Sequence, residues 1–227
     1  MAYDPNTGWY AQDMCGYSDS SSEAQTNATA AKNFLTNAYH WSLNAVCGVL
    51  GNFGAESGYN PWRWEGAYEP VWHELPPPTV AEAEANPGRG YGLVGFTPHT
   101  NYINSTSQSI SGYAPNFADQ PGNPSDGQAQ LIWINETHIG RYISTPQYPL
   151  SWSEFIASTY SAEYLASAFM ENYERPGVPR EQERRDHAAY WWNYFQGGPT
   201  PPDPPVPPPI IKPKKKFKWW MYMPLPW

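Results

Sequence analysis

Proline placement constrains this chain more than any other feature. Of its 227 residues 26 are proline, and 11 of those fall in the last 29, from Pro199 onward. Proline removes a backbone donor and clashes with the preceding helical turn, which excludes a simple helical bundle or coiled coil. A stretch so rich in proline favours extended polyproline II over a packed core. This stretch ends in FKWWMYMPLPW, which is apolar and aromatic. Three parts are therefore expected: a polar, turn-rich segment 1–20, a folded domain 21–198, and an extended tail 199–227 that serves as a docking peptide. The middle part is long enough to bury a core without staples.

Charge divides along the same line. The tail holds Lys212, Lys214, Lys215, Lys216 and Lys218 against one acid, Asp203, a net of +4; residues 1–198 hold 8 basic and 20 acidic residues, a net of −12. Nucleic acid is thereby disfavoured as a partner, because neutralising phosphates needs clustered Lys and Arg. Aromatic residues make up 16% of the chain, with 12 Trp and 17 Tyr. That is not the composition of a disordered chain, and it suits a neutral, ring-shaped ligand such as a sugar. No run approaches the roughly 18 apolar residues of a membrane span. The opening MAYDPNTGWYAQDM lacks a basic start and an apolar stretch, so no secretory leader is expected. Cys15 and Cys47 allow one disulfide without implying it, and exclude a disulfide framework or a four-thiolate zinc site. The five His are scattered without metal-ligand spacing, so neither metal nor cofactor is expected.

Helices dominate the reading of residues 20–198. Ser20, Ser21 and Ser22 precede EAQTNATAAKNFLTNAYH, a capped helix. Ser42 caps a second, in which Leu43, Val46, Cys47 and Leu50 form one apolar face. Gly58 stops it, and Asn60-Pro61 bars continuation. Residues 60–99 show no long period, with a short strand expected over Tyr91–Phe96. Further helices are expected from about Asp126 to His138, over Ser153–Tyr173 with a break near Ser161, and from about Arg180 to Gln196.

Chemistry concentrates in LGNFGAESGYNPWRWEG, residues 50–66. Glu56 ends the second helix on the face that carries Val49, Asn52 and Phe53. A carboxyl there is expected to be partly desolvated, and the helix C-terminus adds negative potential; both favour the protonated acid. A glycosidase general acid needs that property. The plain alternative is a solvated glutamate of a last helical turn.

Glu56-Ser57-Gly58 at a helix end, followed by Gly90-Tyr91-Gly92-Leu93-Val94-Gly95-Phe96-Thr97-Pro98, resembles the phage tail lysozyme family, which is related to goose-type lysozymes and lytic transglycosylases. Phe169-Met170-Glu171-Asn172-Tyr173-Glu174-Arg175-Pro176 looks like the family's later aromatic-acidic segment, and AAYWWNYFQGG, Ala188–Gly198, like its closing helix. The resemblance runs from about residue 30 to 198. It implies an α+β, predominantly α-helical, two-lobed lysozyme-like domain with a small β or irregular insertion. It also implies cleavage of the β-1,4 link between N-acetylmuramic acid and N-acetylglucosamine in peptidoglycan, by a virion-borne protein that opens the host wall. Glu56 is then the general acid, and Gly92, Leu93 and Val94 the cleft wall that binds the sugar through backbone groups. Ser57 belongs to the same substrate-binding set. Gly95 departs from the family, whose members usually carry Gln there, so a substrate-positioning amide is missing and a weakened or purely structural tail protein is the alternative.

Direct attack by water needs a second carboxyl, roughly 6.5–9.5 Å from the first in an inverting enzyme. Glu65 is the first candidate, Glu69 the second, and Glu174 enters from the later segment. Without one, attack by the sugar's own 6-hydroxyl gives a transglycosylase. Sugar-stacking platforms are sought among Tyr59, Trp62, Trp64, Tyr91 and Tyr173, against the alternative that each packs in the core. The expected partners are peptidoglycan strands and, through residues 199–227, other tail proteins. KPKKKFKWWMYM as a membrane-surface anchor is less favoured.

Overall fold

The computed structural model describes residues 8–10, 18–65, 78–110 and 113–196. The tail 199–227, Cys15 and Glu69 lie outside them. Eight α-helices are described: α1 Ser22–Tyr39, α2 Leu43–Ser57, α3 Val80–Ala85, α4 Thr100–Ser109, α5 Asp126–Glu136, α6 Trp152–Ala157, α7 Ala162–Phe169 and α8 Glu181–Gln196. A 3-10 turn, His138–Arg141, follows α5, and a π turn, Met170–Glu174, follows α7.

Caps and periodicity explain the first two helices. In α1, Ser21 accepts from the Ala24 N–H, and Ala24, Ala28, Ala31 and Leu35 form its buried stripe. In α2, Ser42 accepts from the Ala45 N–H, and the left-handed Gly58 (φ 54°) returns its N–H to the Gly54 and Phe53 carbonyls. Every residue from Asn44 to Phe53 is buried. A helix buried on all sides is the centre of a domain, and α7 and α8 pack against this one.

Small residues on α2 set how near those neighbours come. A Cβ on Gly48 would lie 2.7 Å from Leu165 Cβ of α7, and one on Gly51 2.9 Å from Ala188 Cβ of α8. Both gaps are too short for real carbon atoms. Gly51→Ala should therefore push α8 outward and cost about 1–3 kcal/mol, a fall in Tm of roughly 3–10 °C. Calorimetry checks this; an unchanged Tm would mean that α8 has room to spare.

Extended structure among the described residues is limited to three isolated bridges, Trp64–Tyr91, Tyr91–Phe96 and Phe117–Gln120. The strand expected over Tyr91–Phe96 is instead a tight turn. Tyr91 and Phe96 exchange backbone hydrogen bonds of 3.1 and 2.8 Å, with Gly92 (φ 80°) and Gly95 (φ 56°) between them. Left-handed glycines reverse the chain where a strand would run on. The helices α3 and α4 were not expected. The six residues of α3 carry a capping box, Thr79 with Glu82, too short a run to show periodicity. His99, which precedes α4 at its N-cap, makes no capping hydrogen bond with its side chain.

Asp126 joins the glycine turn to α4 and α5. It is fully buried and accepts from Tyr91 Oη (2.6 Å), Tyr102 Oη (2.9 Å) and Gln130 Nε2 (2.9 Å). Burial pushes its carboxyl from 3.8 up to about 7, against the pull of those three donors. The folded state therefore holds this proton more tightly than the unfolded chain does. The resulting stability is complete below about pH 4 and is lost as pH rises through about 7. Burial shifts His99 and His138 the other way, so the clean readout is a difference. The stability of wild type minus that of Asp126→Asn should fall by about 2–4 kcal/mol between pH 4 and pH 7.5 in urea titrations. A flat difference would show that the folded state holds this proton no more tightly than the unfolded chain does.

Candidate active site

The end of α2, the π turn and the start of α8 converge on one buried guanidinium. Arg184 is 1% exposed. Its Nε donates to the Pro179 carbonyl (2.8 Å), one terminal nitrogen to Asn52 Oδ1 (2.8 Å) and Glu174 Oε2 (2.5 Å), and the other to Glu56 Oε1. Asn52 is itself fixed, since its amide donates to the Gly48 and Ala166 carbonyls at 3.0 Å each. The Glu56 side chain keeps 25% of its surface exposed and that of Glu174 only 4%. The wider π turn and the left-handed Arg175 (φ 51°) that ends it bring Glu174 inward.

One guanidinium cannot neutralise two carboxylates in a dry site. Burial, and next the Glu56 carboxylate, push Glu174 well above the ordinary carboxyl range, against the pull of Arg184. The surplus proton of the cluster thus settles on Glu174.

This cluster opens into a cleft of about 740 Å³. Gly92, Val94, Gly95 and Phe96 of the glycine turn line it, as do Glu65, Asn101, His138, Tyr173 and the segment Arg175–Val178. Both candidate carboxyls touch the glycine turn. Glu65 Oε2 accepts from the Gly90 N–H at 2.7 Å, and a Cβ on Gly95 would lie 3.0 Å from Glu56 Oε2. In this left-handed conformation any side chain at position 95 would be strained and would crowd Glu56. Among the described residues, the one side-chain amide lining the cleft belongs to Asn101.

Deeper in the cleft Tyr173 and His138 form a pair, Oη to Nδ1, 2.7 Å apart. Burial raises the Tyr173 hydroxyl far above its usual range and lowers His138 to about 4. The hydroxyl is therefore the donor and Nδ1 the acceptor, which leaves the proton of the neutral ring on Nε2.

The residues singled out from sequence separate into two groups. Glu56, Glu65, Gly92, Val94 and Tyr173 line the cleft, although Tyr173 is only 1% exposed and its ring stacks on Phe169 with 4.6 Å between centroids, so it offers no open face to a sugar. Ser57, Tyr59, Tyr91 and Leu93 are not among its lining residues and are at most 1% exposed. Ser57 Oγ donates to the Phe53 carbonyl (3.0 Å) and the Leu93 carbonyl (3.2 Å), and the Leu93 N–H donates to Gln130 Oε1 (2.7 Å). These bonds pin the glycine turn to α2 and α5, so Ser57 and Leu93 place the wall without presenting groups to a ligand. Tyr59 Oη accepts from Trp191 Nε1 (2.8 Å) and donates to Asp19. Tyr91 lies on Trp64 with 4.8 Å between ring centroids. Both rings are core, their hydroxyls already satisfied by Asp19 and Trp191 for Tyr59 and by Asp126 for Tyr91. Gly92 spends its N–H on the Arg63 carbonyl and its carbonyl on Gly95, which leaves Val94 as the lining residue of this wall whose backbone groups are not used within the turn.

Sequence reasoning missed Arg184 and His138. Arg184 sits in EQERRDHAAY among other charges, and nothing local marks it as buried. Cys47 is a buried free thiol. Among the described residues no cluster of His, Cys, Asp and Glu is arranged to hold a metal ion, and no helix is long and apolar enough to cross a membrane.

Comparison with known families matches residues 26–195 to the phage tail lysozymes. The chain belongs to the phage tail lysozyme family. A curated relative is Morphogenesis protein 1 of Bacillus phage B103, 32% identical over 172 residues. That alignment covers 74% of this chain and 39% of the relative, so the chain spans well under half of the relative's length. For this tail lysozyme family member the helical scaffold, nearly devoid of strand among the described residues, is compatible with a lysozyme-like domain.

Proposed function

We propose that this domain is a muramidase carried on a phage tail, which cleaves the β-1,4 link between N-acetylmuramic acid and N-acetylglucosamine to open the host wall. The observation that carries the reading is Glu56, a partly exposed carboxyl at the end of a buried helix, facing an open cleft beside Gly95, which has no side chain to cover it. In this reading Glu56, supplied with the proton that Glu174 holds in the same cluster, protonates the glycosidic oxygen as the bond breaks. Arg184 orients the Glu56 carboxyl. Glu65, on the far end of the glycine turn, is the base that activates water. Val94 offers backbone groups to the sugar, Asn101 supplies the side-chain amide that Gly95 lacks, and Tyr173 lines the sugar path without stacking on the ring. Residues 199–227 dock the domain to other tail proteins.

Purified protein incubated with peptidoglycan should release fragments ending in reducing muramic acid, identified by mass spectrometry. Anhydro-muramic ends would make it a transglycosylase and remove Glu65 from the base role. A second reading has one observation in its favour: Arg184 already engages the Glu56 carboxyl. On that reading the domain is a lysozyme-like structural part of the tail, and no fragments of either kind appear.

A further inference from the structure

Cations are scarce in this domain and unevenly spread. Five of the eight basic residues between 1 and 198 line the cleft: Arg63, Arg141, Arg175, Arg180 and Arg184. A neutral sugar gives no reason for that bias in a body of net charge −12. Glu56 and Glu174 take up the charge of Arg184, and Arg180 has Glu183 at 3.9 Å. Arg141 and Arg175 are held differently. Arg141 donates from Nε to the Tyr173 carbonyl (2.9 Å) and from a terminal nitrogen to the Glu174 carbonyl (3.2 Å). Arg175 donates to the Arg141 carbonyl (2.8 Å). Among the described residues neither has a carboxylate within ion-pair distance. Carbonyl partners orient a guanidinium without neutralising it, and the forked donors left over match a carboxylate.

We propose that Arg141 and Arg175 form an anion site in the cleft that takes a carboxylate of the muramyl residue, either its lactyl group or the peptide stem that extends it. The proposal rests on the glycosidase reading for its ligand and adds a register. In an alternating strand only every second sugar bears the acid, so pairing that acid with the two arginines selects which bond lies at Glu56.

Binding can be measured without turnover by titrating the full chain with three small ligands in calorimetry. Chitobiose carries no acid, the N-acetylglucosaminyl-muramic disaccharide carries the lactyl carboxylate, and its tripeptide form carries stem carboxylates. Wild type should bind the acidic ligands about tenfold more tightly than chitobiose, as one charge-assisted pair allows, and salt should erode the gap. Arg175→Gln should abolish the preference and Arg175→Lys keep part of it. Lys32→Gln, the same charge change outside the cleft, should leave it intact. The tighter of the two acidic ligands identifies the source of the carboxylate. Equal binding of chitobiose, a preference that survives Arg175→Gln, stronger binding of a glycerol-phosphate oligomer, or no binding of either muramyl ligand would each overturn the site. Arg175-dependent binding without strand cleavage would keep the site and remove the glycosidase. Cleavage without that dependence would do the reverse.

Discussion

Glu56→Gln should reduce release of wall fragments by about 10²–10⁴-fold, the range set by loss of a positioned proton donor. The amide keeps the size of the carboxyl, and its oxygen still accepts from Arg184, so the variant should fold with a Tm close to wild type. Folding and activity thus separate in one variant. Glu65→Gln should also lose hydrolysis, but by a different route. It removes the group that activates water and leaves the proton donor in place, so any remaining products should shift towards anhydro ends. Fragment release by Glu56→Gln at the wild-type rate would remove Glu56 from the acid role and return the cleft to the structural reading.

Arg184→Met should be the most destabilising single change in the domain. It removes the one cation that Glu174, Glu56 and Asn52 share. Breaking a buried pair from one side costs about 3–5 kcal/mol, because the group left behind stays in a dry site without its partner. For a domain of this size that is a fall in Tm of roughly 6–20 °C. Glu174 softens the loss, since burial already drives it towards the neutral acid. The two sites should therefore be non-additive: Glu174→Gln should cost much less in the Arg184→Met background than in wild type. Arg184→Lys should recover only part, because a point charge cannot reach four acceptors that a planar fork reaches at once. Chemical denaturation of the four proteins completes the cycle. A loss below about 1 kcal/mol for Arg184→Met would indicate that the cluster is wet and weakly coupled.

Local signals carried much of the helical frame. Ser21, Ser42 and Ser161 cap the helices that follow them, and Gly58 ends α2 as its position suggests. These features act over four residues or fewer, so they are visible in a string of letters. The helices α3 and α4 escaped because one is six residues long and the other opens without a side-chain cap hydrogen bond. The aromatics misled for a related reason: Tyr59 and Tyr91 lie close to Glu56 or the glycine turn, but nothing in the letters says which way a ring faces.

The sequence alone determined that a helix capped by Ser42 carries an apolar face and that Glu56 stands where it stops. Caps, periodicity and proline act between near neighbours, and distance along the chain is the only distance a sequence contains. Tertiary structure alone decided that Arg184, 128 residues beyond Glu56, closes on it together with Glu174. It decided equally that five arginines of an acidic body gather at one cleft. Those contacts join α2, the π turn and α8 through packing set by glycines. The charge state of a buried group depends on every neighbour that packing brings to it.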